Sequence, residues 1–142
     1  MFIPIDQFTK DQKLWYGRLI ASAVKMDGAV SPDEIEYVIH TLHFLDNEQK
    51  AIVQLILKSK ADIPFNTTPP PGIKRKHLAM IFTELISLMV ADSDLANYEK
   101  SFLTEFGENC GFSKAEIEAF TQWGSLAYET EKKRRTLLEP FS

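Results

Sequence analysis

Four short patterns in the sequence mark places where helices begin. Each has a Ser, Thr or Asp followed three residues later by Glu or Gln. The four pairs are Thr9/Gln12, Ser31/Glu34, Asp46/Gln49 and Ser113/Glu116. In such a pair, a capping box, each side chain accepts a hydrogen bond from a backbone N–H that the first helical turn cannot satisfy. Apolar residues follow these starts at spacings of three and four rather than in alternation, so the sequence predicts an all-α fold.

The apolar spacing predicts six helices. Their expected spans are about 10–26, 32–43, 47–58, 73–91, 97–109 and 114–135. Gly28 and Gly111 stand where two of them should end, because Gly accepts the left-handed closing conformation. The apolar stripes also predict which side chains are buried. Among them are Ile52, Leu55, Leu88, Tyr98 and Trp123.

A proline-rich segment separates the first three helices from the last three. It runs from Ser59 to Gly72 and contains Pro69, Pro70 and Pro71, which hold an extended backbone. Sliding the sequence by 65 positions places Tyr16 on Ile81 and repeats an acidic pattern described below. The sequence therefore predicts one domain over residues 1–142. We expect two pseudo-symmetric three-helix units, about 10–58 and 73–135, joined by loop 59–72 and packed as one compact helical bundle.

Composition excludes several classes of function. The net charge of −4 gives no electrostatic reason to bind nucleic acid, whose phosphates attract Lys and Arg. The basic run 132–135 is interpreted as a solvated helix end. No stretch approaches the roughly 20 apolar residues that cross a bilayer, so we expect no integral membrane segment. The sequence shows no secretory signal pattern, and its single cysteine allows no internal disulfide; we expect a cytoplasmic protein.

An acidic pattern recurs at the first corner of each half. An Asp ends a long helix and a Glu follows seven residues later, as Asp27 with Glu34 and Asp92 with Glu99; Asp94 adds a carboxylate. An Asp at the C-terminal end of a helix is electrostatically disfavoured. Clusters of carboxylate oxygens suit calcium or magnesium. The predicted metal ligands are Asp27, Glu34, Asp92, Asp94 and Glu99.

Helix-end chemistry is the other explanation of these acids. Glu34 is already the fourth member of a capping box, whereas Ala96 stands where Glu99 would need a capping hydroxyl. Capping therefore explains Glu99 less well than Glu34. An EF-hand is excluded, because Asn97 occupies the position where its loop needs Gly.

These corners resemble a known family. The residues that carry the resemblance are Asp27-Gly28-x-Val30-Ser31-x-x-Glu34 and Ala91-Asp92-Ser93-x-Leu95-x-x-x-Glu99. They are similar to the repeated motif of the TerB-like superfamily, which includes tellurite-resistance-associated proteins and the N-terminal region of certain membrane-anchored J-domain co-chaperones. The resemblance implies an all-helical duplicated domain and a stress-response or envelope-associated setting. It also implies paired acidic clusters that bind divalent cations, here Asp27, Glu34, Asp92 and Glu99.

Three functional hypotheses remain. The first is a non-enzymatic helical binding module, TerB-like, that binds a divalent cation through the acidic clusters in a stress-response setting. The second is a pure protein–protein interaction or scaffold module without metal, which uses an apolar groove or the proline-rich loop. The third is a small hydrolase built around a metal. We expect no enzymatic activity and no catalytic residues, and another protein as partner. Cys110 is expected to be a buried small hydrophobe.

Overall fold

The computed structural model describes residues 3–26, 28–60, 66–91 and 93–142, and these hold six α-helices and no strand. The helices are α1 Lys10–Lys25, α2 Pro32–Thr41, α3 Asn47–Lys58, α4 Arg75–Met89, α5 Asn97–Asn109 and α6 Lys114–Leu138. Short 3-10 turns, Ile5–Gln7 and Glu139–Phe141, lie before α1 and after α6. The predicted all-α class is confirmed, and each helix begins within two residues of its expected start.

All four predicted capping boxes form. At α1 the Thr9 hydroxyl accepts from the Gln12 N–H at 3.2 Å, while Gln12 Oε1 accepts from the Thr9 N–H at 2.9 Å. The same pair of bonds opens α2, α3 and α6. The bond from the Gln49 N–H lowers the pKa of Asp46, because it stabilises the carboxylate. Short-range hydrogen bonding thus sets where these four helices begin.

The chain divides into two units, Met1–Leu78 and Ala79–Ser142, and the boundary falls inside α4. In the first unit α3 packs against α1 and α2. The buried cluster of this unit consists of Ala21, Ile35, Val38, Leu42, Leu45, Val53, Ile56 and Leu57. The predicted pseudo-symmetric pairing of two three-helix units remains a prediction.

Two buried glutamine side chains form hydrogen bonds between distant parts of the first unit. Besides capping α1, Gln12 donates its Nε2–H to the carbonyl of Pro71 at 2.9 Å. Gln49 donates in the same way to the carbonyl of Lys10, also at 2.9 Å. Both side chains are buried, as is Thr67 in the proline-rich segment. The described end of this segment is therefore fastened to α1.

Aromatic rings fill the core of the second unit. The fully buried Phe82 of α4 has its ring centroid 4.8 Å from Phe120, 5.6 Å from Phe106 and 5.9 Å from Phe112. Glycines let α6 approach its neighbours. A Cβ on Gly107 of α5 would lie 2.6 Å from Ile117 Cγ1, and one on Gly124 of α6 would collide with Ile86 Cγ2.

Five predicted core residues are instead exposed, so those predictions were wrong. Leu55 is 68% exposed, Tyr98 51%, Trp123 42%, Leu88 41% and Ile52 36%. On α3 the buried face runs through Gln49, Val53, Ile56 and Leu57. This face was hard to recognise from the sequence because it includes the polar residue Gln49. The neighbouring stripe through Leu55 has the same spacing and is fully apolar. Within the described residues, none of the helices is both long enough and apolar enough to cross a membrane.

We predict that Gly124→Ala destabilises the protein by about 1–2 kcal/mol, although Gly→Ala inside a helix ordinarily stabilises it. The added methyl meets Ile86 Cγ2, and overpacking a core costs about 1–3 kcal/mol. Ile86→Leu removes that branch at nearly constant volume. We compare the free energies of unfolding in urea of Gly124→Ala, Ile86→Leu and the variant with both changes. The loss in the combined variant should be smaller than the sum of the two single losses, by at least about 0.5 kcal/mol. Strict additivity would contradict the close α4–α6 approach.

Candidate acidic corners and an adjoining groove

The first corner leads from the end of α1 into α2. The Ser31 hydroxyl accepts from the Glu34 N–H at 3.2 Å, and Glu34 Oε1 accepts from the Ser31 N–H at 3.4 Å. Pro32 begins the helix, where its missing N–H costs nothing. Gly28 closes α1 with a φ of 115°. Glu34 is exposed and serves the helix start, and Asp27 lies outside the described residues.

The second corner leads from α4 into α5, and its glutamate is buried. Glu99 is only 2% exposed, and its Oε1 accepts from the Ala96 N–H at 2.9 Å. Since alanine has no oxygen to offer in return, this cap has only one of the two bonds of a capping box. Asp94 is exposed, and its Oδ1 accepts from the Leu95 N–H at 2.8 Å and from the Ser125 hydroxyl at 3.0 Å.

The equivalent glutamates therefore occupy different environments. Glu34 faces water within a complete capping box, whereas Glu99 is enclosed and holds the loop before α5. Asp92 lies outside the described residues, like Asp27. Among the residues that are described, no three His, Cys, Asp or Glu side chains come together as a metal site. The five-residue metal site thus stays a prediction, with Glu34, Asp94 and Glu99 as its described members.

A surface groove adjoins the first corner. It has a volume of about 530 Å³ and lies between α2 and α3. Its lining residues are Val30, Pro32, Ile35, Glu36, Ile39, Gln54 and Lys58. Four of these are apolar, and the two charged ones lie on different helices. This groove was not predicted from the sequence. Pro32, Ile35, Glu36 and Ile39 follow the spacing of one helical face, which was the available signal.

Cys110 does not have the environment of a nucleophile. Its side chain is half-buried rather than fully buried, and this burial raises the pKa of the thiol to about 12. Reactive cysteines need a thiolate and hence a lowered pKa. His40 and His43, three residues apart, are both exposed, as expected for residues outside the core.

Comparison with protein-family models, with curated proteins and with solved structures finds no match to this chain.

We predict that Glu99→Ala costs about 2–3 kcal/mol in urea unfolding and Glu34→Ala only about 0.5–1 kcal/mol. The first change removes a buried acceptor and leaves both a cavity and the Ala96 N–H to be satisfied, whereas water can replace the second. Glu99→Gln keeps an oxygen acceptor and should lie between wild type and Glu99→Ala. Equal losses for the two alanine variants would show that the two corners are energetically equivalent.

Proposed function

We propose that the protein is a non-enzymatic helical binding module whose α2–α3 groove receives an apolar segment of a protein partner. The observation that supports this proposal is the size and lining of the groove. Its volume of about 530 Å³ falls within the range of about 300–1,000 Å³ typical of ligand sites. Such sites combine an apolar lining with a few polar groups that fix the orientation of the ligand. A groove between two helices is also a common receptor for an amphipathic peptide helix.

The lining specifies the chemistry of the partner segment. Val30, Ile35 and Ile39 favour aliphatic side chains spaced three and four residues apart, which lie on one helical face. Glu36 on α2 favours a basic residue along one edge of that face. Lys58 on α3 favours an acidic residue along the other. The complementary charges would orient the partner and exclude others more than they would add affinity.

A selection from a peptide library on the intact chain tests the groove. We predict helical peptides with aliphatic residues at i, i+3 or i+4 and i+7 and a flanking basic residue. Glu36→Arg combined with Gln54→Arg places two bulky cations in the groove without altering the buried core. This double variant should weaken peptide binding at least tenfold.

Glu48→Arg is the control for the Glu36→Arg part of this variant, because it makes the same substitution at an exposed position of α3 outside the groove lining. Calorimetry on the purified chain should give the same affinity for this variant as for wild type. Peptides that bind the groove variant, the control and wild type equally would refute the groove as the binding site.

A divalent cation at the second corner is the second candidate function. The observation that favours it is that the buried carboxylate of Glu99 and the exposed carboxylate of Asp94 belong to the same corner. Carboxylate oxygens are ligands that calcium and magnesium prefer. Resemblance of both corners to the TerB-like superfamily supports the same proposal and a stress-response setting. Under it, Asp92 would complete the set with Asp94 and Glu99, and Asp27 with Glu34 would form the counterpart.

Thermal unfolding with EDTA, calcium and magnesium tests the cation. A bound ion stabilises the folded state by mass action, by about 2.7 kcal/mol at a concentration of 100 Kd. We predict that one of the two ions raises the Tm and that EDTA does not raise it. Asp92→Asn combined with Glu99→Gln should abolish the rise, while Glu118→Gln, on an exposed position of α6, should keep it. An unchanged Tm with both ions would refute this candidate and leave the groove proposal intact.

A further inference from the structure

Helix α6 carries an exposed apolar stripe. Trp123 is 42% exposed, Leu126 66%, Leu137 64% and Leu138 49%; Phe141, in the 3-10 turn that follows, is 85% exposed. These five make up half of the ten large hydrophobic side chains exposed in the described parts of the chain. Single exposed hydrophobic residues need no explanation, but several on one helix often mark an interaction surface.

The helical period places these side chains on one face. At about 100° per residue, positions 123, 126 and 137 of α6 fall within about 60° of one another, and Leu138 lies about 60° to the other side of Trp123. Phe141 follows in the 3-10 turn. Gly124 and Ile117, which pack against Ile86 and Gly107, lie about a third of a turn away. Trp123, Leu126 and Leu137 thus lie apart from the face by which α6 packs within its own unit.

Charge is divided along the same helix. Residues 114–131 contain one Lys and four Glu, a net charge of −3. Residues 132–142 contain four Lys or Arg and one Glu, a net charge of +3. Glu131 already binds Arg134 at 3.0 Å, and Arg135 donates to the Ala91 carbonyl at 2.8 Å. Lys132 and Lys133 remain exposed at the basic end.

We propose that the occupant of this stripe is the α6 stripe of a second copy of the chain, packed antiparallel. This arrangement places the basic end of each helix beside the acidic part of the other. With the twofold axis near Glu131, Glu129 of one protomer lies level with Lys133 of its partner, and Leu126 lies beside the partner's Leu137. One patch then serves both protomers, as in other twofold dimers.

The charge division also argues against an anionic membrane surface. Interfacial helices carry Lys and Arg along their polar face, whereas most of α6 is acidic and the whole chain has a net charge of −4. The contact between the two copies is small. The stripe from Trp123 to Leu138 is about 22 Å long at 1.5 Å per residue. We therefore expect weak self-association, with a Kd of about 10–100 µM.

Sedimentation equilibrium of the full chain over about 5–500 µM tests the proposal. Wild type should show a monomer–dimer equilibrium that weakens as salt is added. Leu126→Ala combined with Leu137→Ala should raise the Kd at least tenfold. Leu55→Ala is the matched control, since Leu55 is exposed to the same degree as Leu126 but lies on α3, and it should leave the Kd unchanged.

A charge exchange identifies the antiparallel register. Glu129→Lys and Lys133→Glu should each weaken self-association, because each sets like charges against each other twice in the dimer. An equimolar mixture of the two variants restores both attractions and should form a heterodimer at least as tight as wild type. A wild-type chain that stays monomeric over the whole range would overturn the proposal. So would a dimer that ignores these changes, or binding to phosphatidylserine vesicles without self-association.

Discussion

The reciprocal hydrogen bonds at the helix starts are the constraint from which the rest of the structure follows. Each capping box sets the residue at which a helix begins, and so which side chains face its neighbours. In α1 and α3 the same glutamines that cap also donate their amide hydrogens across the unit, from Gln12 to Pro71 and from Gln49 to Lys10. Gln12 and Gln49 therefore each contribute both to a helix start and to a hydrogen bond with a distant part of the first unit.

The two acidic corners show what happens when one cap is incomplete. With a hydroxyl at Ser31, the glutamate of the first corner completes a box and remains in water. At the second corner Ala96 offers no hydroxyl, and the buried Glu99 accepts a hydrogen bond from the Ala96 N–H. Glu34 thus serves an exposed helix end, whereas Glu99 is a buried residue that holds the loop before α5. The groove adjoins the first of these corners and the cation candidate the second.

Much of the fold could be predicted because its signals are local. The starts at Thr9, Ser31, Asp46 and Ser113 depend on residues three apart, and the closing glycines on a single backbone conformation. Burial was harder to predict, because two neighbouring stripes on α3 have the same spacing and only packing selects between them. The predicted burial of Trp123 was wrong for a related reason, because its apolar stripe faces outwards.

The candidate site was less accessible from sequence than the helices. The burial of Glu99 depends on packing that no spacing shows, and the α2–α3 groove combines side chains of two helices. The most direct measurement is the ¹⁵N–¹H spectrum of the labelled chain titrated with a selected peptide. We expect the shifts to concentrate on Val30, Ile35, Ile39, Gln54 and Lys58. Shifts confined to residues of α4–α6, with the groove unchanged, would contradict it.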